Sequence, residues 1–248
     1  MAFLVGVLGL LVGSFLNVCI YRLPRHESIF WPGSHCPACG HPLGPLDLIP
    51  VLSWVWLGGR CRYCQAPVSG RYTAVELITA GLFGLVYLRF GWHWETVVGL
   101  IFAAILVVLA FTDLETGLLP NAVTLPGTAI GLVLSLARPG WTPITALWGA
   151  ALVGGVLLLI AVASGGKMGG GDVKMGFLMG AFLGPLLGLV ALFMSSSLGA
   201  LTGLGLMATG RVRRGEFIPF GPFLSLGSLI TLFFGQAILA WYLSLIQL

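Results

Sequence analysis

Four cysteines and two aspartates are the residues whose types and spacing could do chemistry in this chain. The cysteines come as two pairs, Cys36-Pro37-Ala38-Cys39-Gly40 and Cys61-Arg62-Tyr63-Cys64. Two such turns bring four thiolates toward one tetrahedron, the geometry Zn²⁺ accepts, and a closed shell of four thiolates suits a structural ion rather than a catalytic one. Gly40 permits the tight backbone of a knuckle. Disulfides and a redox role for the two CxxC turns are the alternatives; a cytoplasmic placement, where thiols stay reduced, weighs against the first. His35 and His41 flank the first pair, either behind the ligands or as solvated loop residues. Cys19 lies inside an apolar run and reads as a packing residue.

Asp113 closes an apolar stretch in Phe111-Thr112-Asp113-Leu114. The end of its own helix offers a carboxylate nothing, because the dipole there is negative. Asp172 follows Gly169-Gly170-Gly171, a run that can bend sharply and approach another backbone closely; capping the next helix is its plain alternative. If the two carboxyls meet, both cannot easily ionise, so one keeps a proton while the other acts as a base. Such a pair can activate a water and protonate the leaving amine in peptide hydrolysis. Glu76 stands about a turn inside another apolar segment, where an acid is costly to keep without a purpose. An ion pair with Arg71 or Arg22 is the alternative there.

The elements that must position these residues are apolar helices. Of 248 residues, 58% are hydrophobic and 8% charged, against about 25% charged in a soluble domain. Such a chain suits lipid. The first apolar stretch, Ala2 to Ile20, has spanning length without a basic region before it, so it reads as a transmembrane helix rather than a cleaved signal. Further runs lie near Tyr72–Leu88, Thr96–Thr112, Ala122–Ala137, Ile144–Ser164 and Phe223–Ile246. The uncharged stretch from Met175 to Gly210 is too long for one crossing, and Gly184-Pro185 divides it into two limbs. The expected architecture is an all-α polytopic membrane protein of about eight transmembrane helices with one small polar domain. The expected organisation is a first helix over 1–20, a four-cysteine zinc domain over 21–71 and a membrane domain carrying both aspartates over 72–248.

Eight crossings place Arg22, Arg25, Arg60, Arg62, Arg71, Lys167, Lys174, Arg211, Arg213 and Arg214 on one side, and Arg89 and Arg138 on the other. The richer side is then cytoplasmic. It is also the side of the cysteines and of Asp113 and Asp172. The net charge of +4 reads as this topology signal and calls for no nucleic-acid partner.

Taken in order, the motifs resemble one family over nearly the whole length. They are Gly13-Ser14-Phe15-Leu16-Asn17-Val18, Tyr21-Arg22-Leu23-Pro24, both cysteine pairs, Ile49-Pro50-Val51-Leu52-Ser53-Trp54, Arg71-Tyr72-Thr73-Ala74-Val75-Glu76-Leu77, the Asp113 and Asp172 segments, and Ile218-Pro219-Phe220-Gly221-Pro222-Phe223. The chain resembles the bifunctional prepilin peptidase/N-methyltransferases, GxGD aspartic peptidases of type IV pilus and type II secretion systems. Leu48 departs from the pattern, where many members carry Asn. The resemblance implies that Asp113 and Asp172 are the catalytic aspartates. It implies substrates that are prepilins or pseudopilins, cut at the cytoplasmic face of the bacterial inner membrane between a basic leader and an apolar helix. It also implies methylation of the new N-terminal residue by S-adenosylmethionine. No Rossmann-type glycine fingerprint marks a site for that donor. The junction of the cysteine domain with the membrane helices is the expected place, with Asn17, Arg22, Asp47, Arg71 and Glu76 as candidates and arginine suited to the donor's carboxylate. The rival readings are a transporter with a proton path, a presenilin-like intramembrane protease, and a zinc-containing assembly factor without catalysis.

Overall fold

The structure, a computed structural model, describes every residue except 167, 214, 215, 217, 247 and 248, with the backbone alone at 246. Lys167 and Arg214, both counted in the charge asymmetry, lie outside the described residues. Among the described residues eight α-helices follow in order: α1 (Ala2–Arg22), α2 (Leu52–Trp56), α3 (Arg71–Phe90), α4 (Trp94–Thr116), α5 (Asn121–Ser135), α6 (Pro143–Ala163), α7 (Gly170–Ala208) and α8 (Gly221–Ile246). No strand occurs among the described residues. The chain forms two compact units, Met1–Thr96 and Val97–Leu248.

In the first unit α1 packs along α3. Gly9 and Gly13 make this possible: a Cβ on Gly9 would stand 2.7 Å from the Ala80 Cα, and one on Gly13 2.8 Å from the Glu76 Cα. The backbones therefore meet with no side chain between them, as small residues allow in lipid. The polar segment between these helices carries α2 and two short 3₁₀ turns, Leu23–Arg25 and Pro45–Asp47.

The second unit is built from α5, α6, α7 and α8 with the greater part of α4. The expected break in its longest helix is present. Gly184 holds φ 76° and ψ −177° inside α7, a conformation that suits glycine alone, and Pro185 starts the next limb. The chain folds back there: a Cβ on Gly188 would lie 3.6 Å from the Gly180 Cα, whereas eight residues of continuous helix span about 12 Å. Arg138 donates to the Phe182 carbonyl at 3.0 Å beside this turn.

Among the described residues six helices are long and apolar enough to cross a membrane, and the protein is a multi-pass membrane protein. The count differs from the expected eight for a physical reason. The 15 residues of α5 reach about 22 Å, short of a hydrocarbon core of about 30 Å. The limb of α7 before Gly184 is similarly short, and its residues Leu178 to Gly184 are all buried. Protein rather than lipid surrounds it, with Phe182 stacked on Phe102 at 4.6 Å.

Candidate functional site

Asp113 lies in the last turn of α4 and is buried, 4% exposed. Its Oδ2 accepts the Gly221 backbone N–H at 2.8 Å. Gly221 opens α8, so the carboxyl meets the positive end of a helix other than its own. Glycine is needed there, since a Cβ would stand 2.7 Å from the Asp113 Oδ2. Asp172 is the third residue of α7, behind the N-cap Gly169; it is not itself the cap. Its backbone N–H donates to the Gly169 carbonyl at 3.2 Å, and its Oδ2 lies 3.5 Å from where a Gly169 Cβ would stand. A helix N-terminus thus stands at each of the two carboxyls. Leu119 joins the two turns: Cβ atoms added at Gly171 and Gly221 would stand 2.9 Å and 3.0 Å from its side chain. Lys174, just beyond Asp172, donates to Asn121 Oδ1 at 2.7 Å. The partnership of Asp113 with Gly221 was invisible to sequence reasoning, although the loop around Gly221 stood among the quoted motifs.

The four cysteines Cys36, Cys39, Cys61 and Cys64 come together in the first unit. Their Sγ atoms all lie within 4.8 Å of one another, and Cys36 Sγ is 3.8 Å from Cys64 Sγ. Tetrahedral Zn–S bonds of about 2.3 Å require sulfur separations of about 3.8 Å, so the donor set fits zinc. The two knuckles repeat one design. Cys36 N–H donates to the His41 carbonyl and Cys61 N–H to the Ala66 carbonyl, both at 2.9 Å. Gly40 and Gln65 occupy matching left-handed positions, φ 70° and 59°. The Cys39 backbone N–H holds the Cys36 thiol down to about 7, toward the thiolate a metal needs. The His41 ring lies against Tyr63, tilted by 33° with ring centroids 3.6 Å apart, and His35 faces the Gly33 carbonyl.

A cavity of about 430 Å³ opens between this lobe and the α1–α3 pair. Asn17, Arg22, Asp47 and Glu76 all line it; Arg71 does not, and its guanidinium lies over the Tyr72 ring instead. Arg22 donates to the carbonyls of Ser28 and Gly33. Asp47 accepts from Arg62 Nε at 2.6 Å, Tyr63 Oη at 3.2 Å and Gly44 N at 3.1 Å, and the Arg62 guanidinium holds its carboxyl below the usual carboxylate range. Asp47 therefore ties the second knuckle to the turn at Pro45–Asp47. Glu76 takes the Val51 N–H at 2.8 Å rather than the side chain of Arg22. Ser14, Trp54 and Arg60 also line the cavity; the sequence placed them in motifs or in the charge asymmetry, not among the candidates for the donor site.

The fold and this geometry meet two family descriptions. Residues 7–90 match the bacterial peptidase A24 N-terminal domain, and residues 100–204 match the type IV leader peptidase family. A prepilin leader peptidase/N-methyltransferase of Aeromonas salmonicida is 37% identical across 98% of this chain and 94% of its own length. The chain belongs to the type IV leader peptidase family. A relative of the same description from Bacillus subtilis is 34% identical over 96% of both chains, and one from Pseudomonas aeruginosa 33% identical over 96% of this chain and 91% of its own. No solved structure matches the chain. Type IV leader peptidases are a protease family, and this member is an enzyme.

Proposed function

We propose that the chain cleaves the leader from type IV prepilins and pseudopilins at the cytoplasmic face of the bacterial inner membrane. It then methylates the new N-terminal amine with S-adenosylmethionine. The observation that carries the peptidase reading is that each aspartate stands at a helix N-terminus: Asp113 accepts the Gly221 N–H that opens α8, Asp172 lies in the first turn of α7, and Leu119 packs against both turns. Positive helix ends stabilise the single negative charge of a carboxyl pair that shares one proton. The ionised member takes a proton from water, and the protonated member gives one to the leaving amine. The basic residues clustered on one side of the expected topology support a cytoplasmic placement of both aspartates.

The cavity supports the second activity. Its volume falls within the range of about 300–1,000 Å³ of small-molecule sites, and its lining suits a cationic nucleoside donor. Trp54 and Tyr72 offer aromatic faces to a purine, and Arg22 and Arg60 offer charge to a carboxylate. Bound at the four cysteines, zinc supplies the closure that a lobe of this size lacks. In this reading residues 21–71 are the methyltransferase-associated domain, entered through the first helix at 1–20, and 72–248 carry peptide hydrolysis.

Membranes bearing wild type, Asp113→Asn or Asp172→Asn, matched for abundance by blot, are given a type IV prepilin and labelled donor. Cleavage and label transfer by wild type, with no cleavage by either variant, is the expected result. Normal cutting by a variant would exclude the aspartate pair and favour an assembly role. A wild type that cuts other membrane helices but no prepilin would favour a presenilin-like protease.

A further inference from the structure

Where α1 packs along α3, two residues that line the cavity carry acceptors with no cationic partner among the described residues. Asn17 is 4% exposed. Its amide nitrogen donates to the carbonyls of Gly13 at 3.3 Å and Tyr72 at 2.9 Å, which fixes the side chain and leaves Oδ1 buried without a hydrogen-bond partner. An orphaned acceptor of this kind costs about 1–3 kcal/mol. Glu76 is 8% exposed and takes the Val51 N–H at 2.8 Å. Val51 reaches it from a strained backbone, φ 62° and ψ −53°, which is rare for a β-branched residue and costs on the order of 1–3 kcal/mol. The other carboxylate of the cavity, Asp47, is already paired with Arg62.

Two acceptors among the lining residues of one cavity ask for a ligand with several N–H donors and a positive charge, which is the chemistry of a primary ammonium. We propose that Glu76 and Asn17 bind the α-amino group of the substrate's new N-terminus and that Glu76 is its base. This rests on the methyl-transfer reading above. The methyl acceptor must lose a proton before its lone pair can attack, and a carboxylate can take that proton where an amide cannot. Glu76 lies in the second turn of α3. An amine that ends an apolar helix reaches that depth, at the membrane boundary.

The step balances. The ammonium gives one proton to the Glu76 carboxylate, and the amine lone pair then takes the methyl carbon from the sulfonium donor. The N–C bond forms as the C–S bond breaks, and that bond's electron pair returns to sulfur to leave a neutral thioether. The product leaves as a methylammonium, and Glu76 releases its proton to water.

The test uses the full-length, donor-free protein in detergent and two labelled peptides of mature pilin N-terminal sequence, one with a free amine and one N-acetylated. Wild type should bind the free amine at least tenfold tighter, and Glu76→Gln, which can still accept the Val51 N–H, should bind both alike. With labelled S-adenosylmethionine, methyl transfer by Glu76→Gln should fall by about 100-fold, the lower range for loss of a general base. Donor affinity by equilibrium dialysis and zinc content should match wild type. Equal binding of the two peptides by wild type would overturn the proposal without recourse to any variant. So would Glu76→Gln that discriminates and transfers as wild type does, or one that loses donor affinity instead. A wild type that neither binds donor nor transfers methyl would overturn the methyl-transfer reading, and this proposal with it.

Discussion

Gly221→Ala should cripple peptide cleavage while leaving the chain folded. The added Cβ would stand 2.7 Å from the Asp113 Oδ2, 3.0 Å from the Asp113 Cβ and 3.0 Å from the Leu119 Cδ2. Carbon contacts relax at about 3.5–4.0 Å, so Asp113 must retreat by about half an ångström to one ångström. Its 2.8 Å bond from the Gly221 N–H then lengthens out of hydrogen-bond range. A displacement of about 1 Å at a reacting group costs on the order of 100-fold in rate, or about 2.7 kcal/mol of barrier. Overpacking costs about 1–3 kcal/mol of stability, within what a membrane domain tolerates. The assay is a prepilin cleavage time course in membranes matched for enzyme abundance. Gly155→Ala is the control, because its Cβ would meet nothing within 4 Å and alanine favours a helix by about 1 kcal/mol over glycine. Cleavage by Gly221→Ala within threefold of wild type would refute the argument that the α8 N-terminus positions Asp113.

Three further outcomes follow from the first unit. Gly13→Leu should part α1 from α3, because the added side chain begins 2.8 Å from the Glu76 Cα; the Asn17 bond to the Tyr72 carbonyl is then lost, and donor affinity by equilibrium dialysis should fall more than about tenfold, the equivalent of one hydrogen bond to a fixed group. Cys36→Ser should abolish stoichiometric zinc by metal analysis, and chelation of wild-type protein should make residues 21–71 sensitive to added protease, since a structural zinc site contributes folding free energy directly. Gln65→Gly should stabilise the second knuckle by up to about 1 kcal/mol, because Gln65 holds φ 59° where the matching position of the first knuckle is Gly40; zinc release to a competing chelator should slow, and an unchanged rate would show that the left-handed residue carries no strain.

The sequence by itself determined what short-range spacing can encode. Uninterrupted apolar runs put the chain in a membrane, and two CxxC turns foretold a four-sulfur cluster whose atoms fall within 4.8 Å of one another. Gly184-Pro185 foretold a reversal, because a positive φ followed by a proline ring is a local property of two residues. The tertiary structure alone decided the rest. Asp113 finds its donor 108 residues away, and nothing in Phe111-Thr112-Asp113 announces a partner at the start of another helix. Asn17, Arg22, Asp47 and Glu76 share a cavity while Arg71 turns away from it, although Arg71 and Glu76 belong to the same helix. The number of helices of membrane length was also beyond the sequence. Residues 178 to 184 are as apolar as a lipid-facing segment, yet protein buries them. In a membrane protein both surroundings select the same side chains, so hydropathy finds the helices but cannot say which neighbour each one faces.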